Sequence, residues 1–188
     1  MYAHINGMAL AIVAKVGTQS FREAGAHWYV TNEEALIYPE RIFFIREPFL
    51  RLVSAYSFFK GLERAGTRYE ALPLSAITDW ETFVDYILLN EDEHWMPQTD
   101  TTLYTGDGVF VPTKIMRFED VTKWWPLFSS KRLPHENQSV PQEVDIMYRR
   151  AEVDAFYSND YAIYKDLSAY DDLAEKDRGW PIRQEVSR

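Results

Sequence analysis

The sequence predicts an α/β protein with a central parallel sheet flanked by helices, and three observations carry this. Short, nearly continuous apolar runs at Met8 to Ala14 and Arg41 to Arg46 have the composition of strands covered on both faces. Each run passes through a brief polar loop into a segment with helical spacing, the alternation that joins parallel strands by crossovers. The 188 residues are 46% hydrophobic and 26% charged, enough for one core, while 8 Gly and 9 Pro are too few for a disordered or collagen-like chain.

Met8-Ala-Leu-Ala-Ile-Val-Ala14 is the first strand, although its periodicity alone equally permits a buried helix. Lys15-Val-Gly-Thr-Gln-Ser20 supplies turn and hydroxyl residues, and Phe21 to Ala24 continues as a helix until Gly25 stops it. The second strand is Arg41-Ile-Phe-Phe-Ile-Arg46, followed by Glu47 and by Pro48 at the favoured first helical position. From there Phe49, Leu52, Val53, Tyr56 and Phe59 or Lys60 recur at helical spacing to near Gly61. Thr78-Asp-Trp-Glu81 reads as a capping box, opening a helix that turns Phe83, Tyr86, Ile87 and Leu88 toward the core and ends by Asn90.

Glu91 to Gly108 is polar, with Pro97 and a Gly106-Asp-Gly108 turn, and reads as a long functional loop with room for one short element. Val109 to Val111 and Lys114 to Phe118 are candidate strands, the second running into Glu119-Asp120 and a helix through Trp124-Trp125. Ser139-Val-Pro-Gln142 is another capping box, with a helix expected to Tyr157. A short helix from Asp160 to Leu167 and a polar tail over 171–188 complete what reads as a single domain, 1–188.

Charge and composition exclude several function classes. The 20 Lys and Arg against 29 Asp and Glu give net charge -9, which opposes nonspecific binding to nucleic acid or anionic lipid. Zero cysteines exclude disulfides, thiolate zinc sites, iron–sulfur clusters and cysteine nucleophiles. No run approaches the roughly 20 apolar residues that span a bilayer, and the apolar stretch ending at Ala14 lacks the basic flank of a signal peptide. The expectation is a soluble, cytoplasmic protein with no membrane or nucleic-acid partner.

In such a sheet ligands bind at the carboxyl ends of the strands, which brings the residues after Ala14 and after Ile45 to one rim. Lys15 to Ser20 offers backbone amides at a helix start, two hydroxyls and an ammonium, a set suited to phosphate or sulfate. It is not the G-x-x-x-x-G-K loop of nucleotide triphosphatases, because its lysine precedes the glycine. Arg46 at the end of a strand and Ser54 two helical turns onward could share one phosphate between guanidinium and hydroxyl.

The segment from Ile45 to Tyr56 resembles the 3′-phosphate-binding motif of sulfotransferases that use 3′-phosphoadenosine 5′-phosphosulfate (PAPS), above all chondroitin-type Golgi carbohydrate sulfotransferases. Their motif reads approximately R-D-P-F-x-R-L-V-S-A-Y, and here Glu47 stands for the aspartate. Lys15 to Ser20 is similar to the family's 5′-phosphosulfate loop, His94-Trp95-Met-Pro97 to its H-W-x-P segment, and Lys114 to Asp120 to a late strand ending in two acids. Leu133-Pro-His-Glu-Asn-Gln-Ser139 and the Tyr157, Asp160, Tyr161, Tyr164 pattern follow in family order, so the likeness spans about 12–164.

The resemblance implies a P-loop-like three-layer fold and transfer of a sulfuryl group from PAPS, without metal, leaving 3′-phosphoadenosine 5′-phosphate (PAP). Lys15 would stabilise the oxygen between phosphorus and sulfur, with Val16, Gly17, Thr18, Gln19 and Ser20 around the 5′ end. Arg46 and Ser54 would hold the 3′-phosphate, and Arg132 would add charge there unless it and Lys131 are a solvated basic pair. His94 is the leading base, with Asp92 and Glu93 competing. The acceptor would be a hydroxyl or amine of a carbohydrate or small molecule. Two other readings stay open: a kinase-like nucleotide-dependent transferase, and an inactive nucleotide-binding or structural protein of the same fold. Trp124-Trp125 read as packing and Glu119-Asp120 as acids at a helix start.

Overall fold

The computed structural model describes residues 1–66, 77–134, 142 and 144–171. His135, the Ser139 cap and the tail after 171 lie outside the described residues. Five strands form one sheet, β1 (Tyr2–Ile5), β2 (Met8–Ala11), β3 (His27–Val30), β4 (Arg41–Ile45) and β5 (Lys114–Arg117), in the order β3-β1-β2-β4-β5.

The sheet is mixed, which corrects the expectation of an all-parallel one. β2, β4 and β5 are parallel, with Ala9 paired to Arg41 and Ile45 to Arg117. β1 runs antiparallel to both β2 and β3. The β1–β2 hairpin turns at Asn6-Gly7, where both residues have positive φ (48° and 81°), as a two-residue hairpin turn requires. That dipeptide is a strong hairpin signal preceding the apolar run. β2 ends at Ala11 rather than Ala14, and the chain then bends through Lys15 and Gly17 at φ of 66° and 69°.

The helices are α1 (Thr18–Glu23), α2 (Asn32–Ala35), α3 (Pro48–Arg64), α4 (Trp80–Ile87), α5 (Gln98–Thr102), α6 (Val121–Trp124), α7 (Arg150–Phe156) and α8 (Ser158–Asp171). α3 begins as expected, with Pro48 in its first turn and the Glu47 carboxylate accepting from the Leu50 amide at 2.6 Å. It continues past Gly61, because a helical glycine costs only about 1 kcal/mol, less than its packed face supplies. The α4 cap is shifted by one residue. Asp79, not Thr78, accepts from the Thr82 amide at 2.9 Å, and Thr82 Oγ1 accepts from the Asp79 amide at 3.2 Å.

Val109 to Val111 forms no strand, only an isolated bridge between Tyr104 and Phe110. α7 starts late, after a turn in which Arg149 takes φ 45°, and α8 runs beyond the expected Leu167. One apolar core lies around the sheet and includes Phe21, Phe44 and Trp125. A second gathers Leu52, Tyr56 and Phe59 of α3 with Phe83, Trp95 and Tyr157. α3 therefore joins the rim of the sheet to the segment from 91 to 97.

Candidate functional site

Because β2 and β4 are parallel, their carboxyl ends open onto the same rim. After β2 the chain reaches Gly17, which starts α1 in the left-handed region. A Cβ here would lie 2.5 Å from a ring carbon of Phe118, so both backbone angle and close approach call for glycine. Val16 is buried and its amide donates to the Val13 carbonyl at 3.2 Å; the Thr18 hydroxyl donates to the same carbonyl at 2.8 Å. Gln19 donates to Glu23 at 3.0 Å. Ser20 is buried and lines a cleft of about 230 Å³ together with Arg46, Leu50, Phe118, Leu133 and Pro134.

Arg46 and Lys15 meet at this rim. The Arg46 guanidinium donates to the Lys15 carbonyl at 3.0 Å and lies 5.8 Å from the centre of the Phe118 ring. Its backbone is clamped on both sides by one side chain: the Arg46 amide donates to Gln98 Oε1 at 2.9 Å, and Gln98 Nε2 donates to the Arg46 carbonyl at 2.9 Å. Burial lowers the Arg46 pKa, opposed by Glu119 and Glu47. The Lys15 ammonium sits 4.1 Å from the centre of the Phe58 ring, and burial, then Arg46 and Arg51, bring its pKa down to about 8. Ser54 is half-buried on α3, two turns beyond Arg46. Arg132 is exposed, next in sequence to the cleft residues Leu133 and Pro134.

His94 reaches the same neighbourhood from the other side of the molecule's rim. Its ring stacks on Phe58 with centroids 5.4 Å apart and 8° between planes, so one phenyl ring contacts both Lys15 and His94. Asp92 Oδ1 lies 2.7 Å from His94 Nδ1 and also accepts the His94 amide at 2.9 Å. A carboxylate at Nδ1 favours the tautomer protonated there, which leaves Nε2 as the basic nitrogen. Of the two competing acids, Asp92 thus orients the imidazole, while Glu93 is exposed. Trp95 is fully buried and its indole donates to the Asn90 carbonyl at 2.7 Å. Trp125 stacks on Phe21 at 5.5 Å, in keeping with a packing role.

A model of the sulfotransferase family matches residues 17–165. The chain belongs to the sulfotransferase family. Searches among curated proteins and among solved structures found no match. This family transfers sulfuryl groups, and the matched span contains Arg46, Ser54 and His94, with Lys15 two residues ahead of it. Among the described residues no helix is long and apolar enough to cross a membrane, and no three His, Asp or Glu are grouped to hold a metal ion.

Three residues support this candidate site: Gln98, which the sequence did not single out, and Arg51 and Asp160, which entered there only as members of the patterns that carry the resemblance. Asp160 is buried and accepts from the Gln98 amide at 2.8 Å, from Gln98 Nε2 at 3.1 Å and from the Thr99 amide at 3.0 Å. It orients the side chain that clamps Arg46. The neighbours of Asp160 also face the rim: the Tyr157 hydroxyl donates to the Trp95 carbonyl, and burial raises the pKa values of Tyr161 and Tyr164, with the negative charges of Glu47 and Glu119 respectively adding to it. Asp160, Tyr161 and Tyr164 share one face of α8, with Tyr157 directly before the helix, and the spacing 157, 160, 161, 164 was the available signal.

Proposed function

We propose that the chain transfers a sulfuryl group from PAPS to a hydroxyl or amine of a carbohydrate or small molecule, on a P-loop-like α/β framework. The observation that carries this reading is the hydrogen bond from the Arg46 guanidinium, at the end of β4, to the backbone carbonyl of Lys15 in the loop after β2, in a protein of net charge -9. Among the described residues neither cation has a carboxylate within ion-pair distance. Both are desolvated, so a bound polyanion would relieve a cost that the free protein carries.

When bound, the donor supplies a sulfuryl group on a phosphate leaving group. Arg46 and Ser54 would grip the 3′-phosphate, and the amides from Gly17 onward with the Ser20 hydroxyl would hold the 5′ end. Lys15 would place positive charge where the released oxygen gathers negative charge. His94, oriented by Asp92, would take the acceptor's proton at Nε2. Arg132 would add charge at the cleft margin.

Incubation with radiolabelled PAPS and a panel of glycans, phenols, amines and peptides tests the reading. Label in one acceptor class is expected, and PAP binding with no label in any class would favour the inactive alternative. His94→Gln is expected to lower kcat by about 10²–10⁴-fold with little change in PAP affinity. Equal loss of both would make His94 a structural residue.

A further inference from the structure

We infer that Arg51 is a positioning residue that couples the donor loop bearing Lys15 to the loop bearing His94, so that occupancy of one orders the other. The inference rests on the sulfuryl-transfer reading of the site. Arg51 projects from α3, is 1% exposed, and spends its guanidinium entirely on backbone carbonyls of two loops. Nε donates to Ala14 at 3.0 Å, Nη1 to Met96 at 2.8 Å and Nη2 to Glu93 at 2.9 Å. Ala14 directly precedes Lys15; Glu93 and Met96 bracket His94.

The chemistry of the side chain explains why this position holds arginine. A charge buried away from water is costly, and among the described residues Arg51 has no ion pair; Asp160 supplies only a longer-range opposite charge. An apolar residue of similar volume would fill the space at lower cost, but it could not bridge the loops. The planar guanidinium sends donors in several fixed directions, whereas a lysine ammonium is a point charge on a flexible stem. Seven residues along the same helix stands Phe58, the ring that touches both Lys15 and His94. α3 therefore holds the two loops at two points, through the guanidinium by hydrogen bonds and through the phenyl ring by packing.

The test uses the intact chain and amide hydrogen exchange, with calorimetry reading PAP affinity first. The Trp95 and Met96 amides, which donate to the Asp92 carbonyl at 3.1 and 2.8 Å, are the reporters beside His94. Saturating PAP is expected to slow their exchange by about tenfold or more in the wild type. In Arg51→Lys that slowing is expected to vanish, kcat to fall by about tenfold or more, and PAP affinity to stay within about threefold. Wild-type binding of PAP without slowed exchange at Trp95 and Met96 overturns the inference alone, and this arm stands even if Arg51→Lys does not fold. A folded Arg51→Lys with wild-type turnover and protection also overturns it. Failure of the wild type to bind PAP overturns the functional reading and this inference with it.

Discussion

Replacing Lys15 by Met should make the protein more stable while removing transfer. The Lys15 pKa falls from 10.5 to about 8, chiefly through burial and then through Arg46 and Arg51. At about 1.36 kcal/mol per pH unit, keeping the ammonium charged in the folded state costs about 3 kcal/mol. Lys15 keeps partial contact with solvent, so the expected gain near neutral pH is about 1–3 kcal/mol, or about 2–10 °C in Tm. Methionine keeps the unbranched shape and inherits the same φ of 66°, so backbone strain cancels in the comparison. The sign follows from proton binding: between 8 and 10.5 the unfolded chain holds the Lys15 proton and the folded chain has lost it. This contribution therefore makes wild-type stability rise with pH across that interval, while the full penalty is present below it. Urea melts at about pH 7 and about pH 9.5 should show the variant's advantage shrinking as pH rises. PAP at about 100 times its Kd should stabilise the wild type by about 2.7 kcal/mol and the variant by less, which narrows the variant's advantage. A variant less stable than wild type at neutral pH, or an advantage independent of pH, would refute the reasoning.

Three further outcomes are expected. Arg46→Ala should weaken PAP binding by about 10–100-fold in calorimetry, since a charged hydrogen-bond partner is lost, and an unchanged affinity would remove Arg46 from the phosphate site. Gly17→Ala should cost about 1–2 kcal/mol or more in urea melts, because φ is 69° and the new Cβ collides with Phe118; a neutral result would refute both the strain and the collision. Asp160→Ala should cost about 2–5 kcal/mol by leaving the buried amides of Gln98 and Thr99 without an acceptor, and PAP affinity should fall with it as Arg46 loses its clamp.

Much of the site was legible because its signals are local. The apolar run of β4, the Glu47-Pro48 helix start and the Arg46 to Ser54 spacing each lie within a dozen residues. The loop after β2 was legible for the same reason, since a lysine, a glycine and hydroxyls between an apolar strand and a helix are read without knowing the partner elements. The antiparallel half of the sheet was not read, although the Asn6-Gly7 turn signals it, because a four-residue strand paired mainly through its backbone leaves little side-chain pattern. The start of α7 escaped because Arg149 takes a left-handed conformation that composition around it does not announce.

What the sequence determined by itself was the inventory: an acidic, cysteine-free α/β chain, two strand-ending cations, and the family to which their motif points. Tertiary structure decided which side chains hold those cations in place. Gln98 reaches Arg46 across 52 residues and Asp160 reaches Gln98 across 62. Arg51 ties Ala14 to Glu93 and Met96 across gaps of 37 to 45 residues. Such bonds leave no periodic trace, because one partner is often a backbone group common to every residue and the other is set only when the helices dock. Residue type and spacing can place charge on a rim, but only the folded chain determines the distances that let a lysine and a histidine share one phenyl ring.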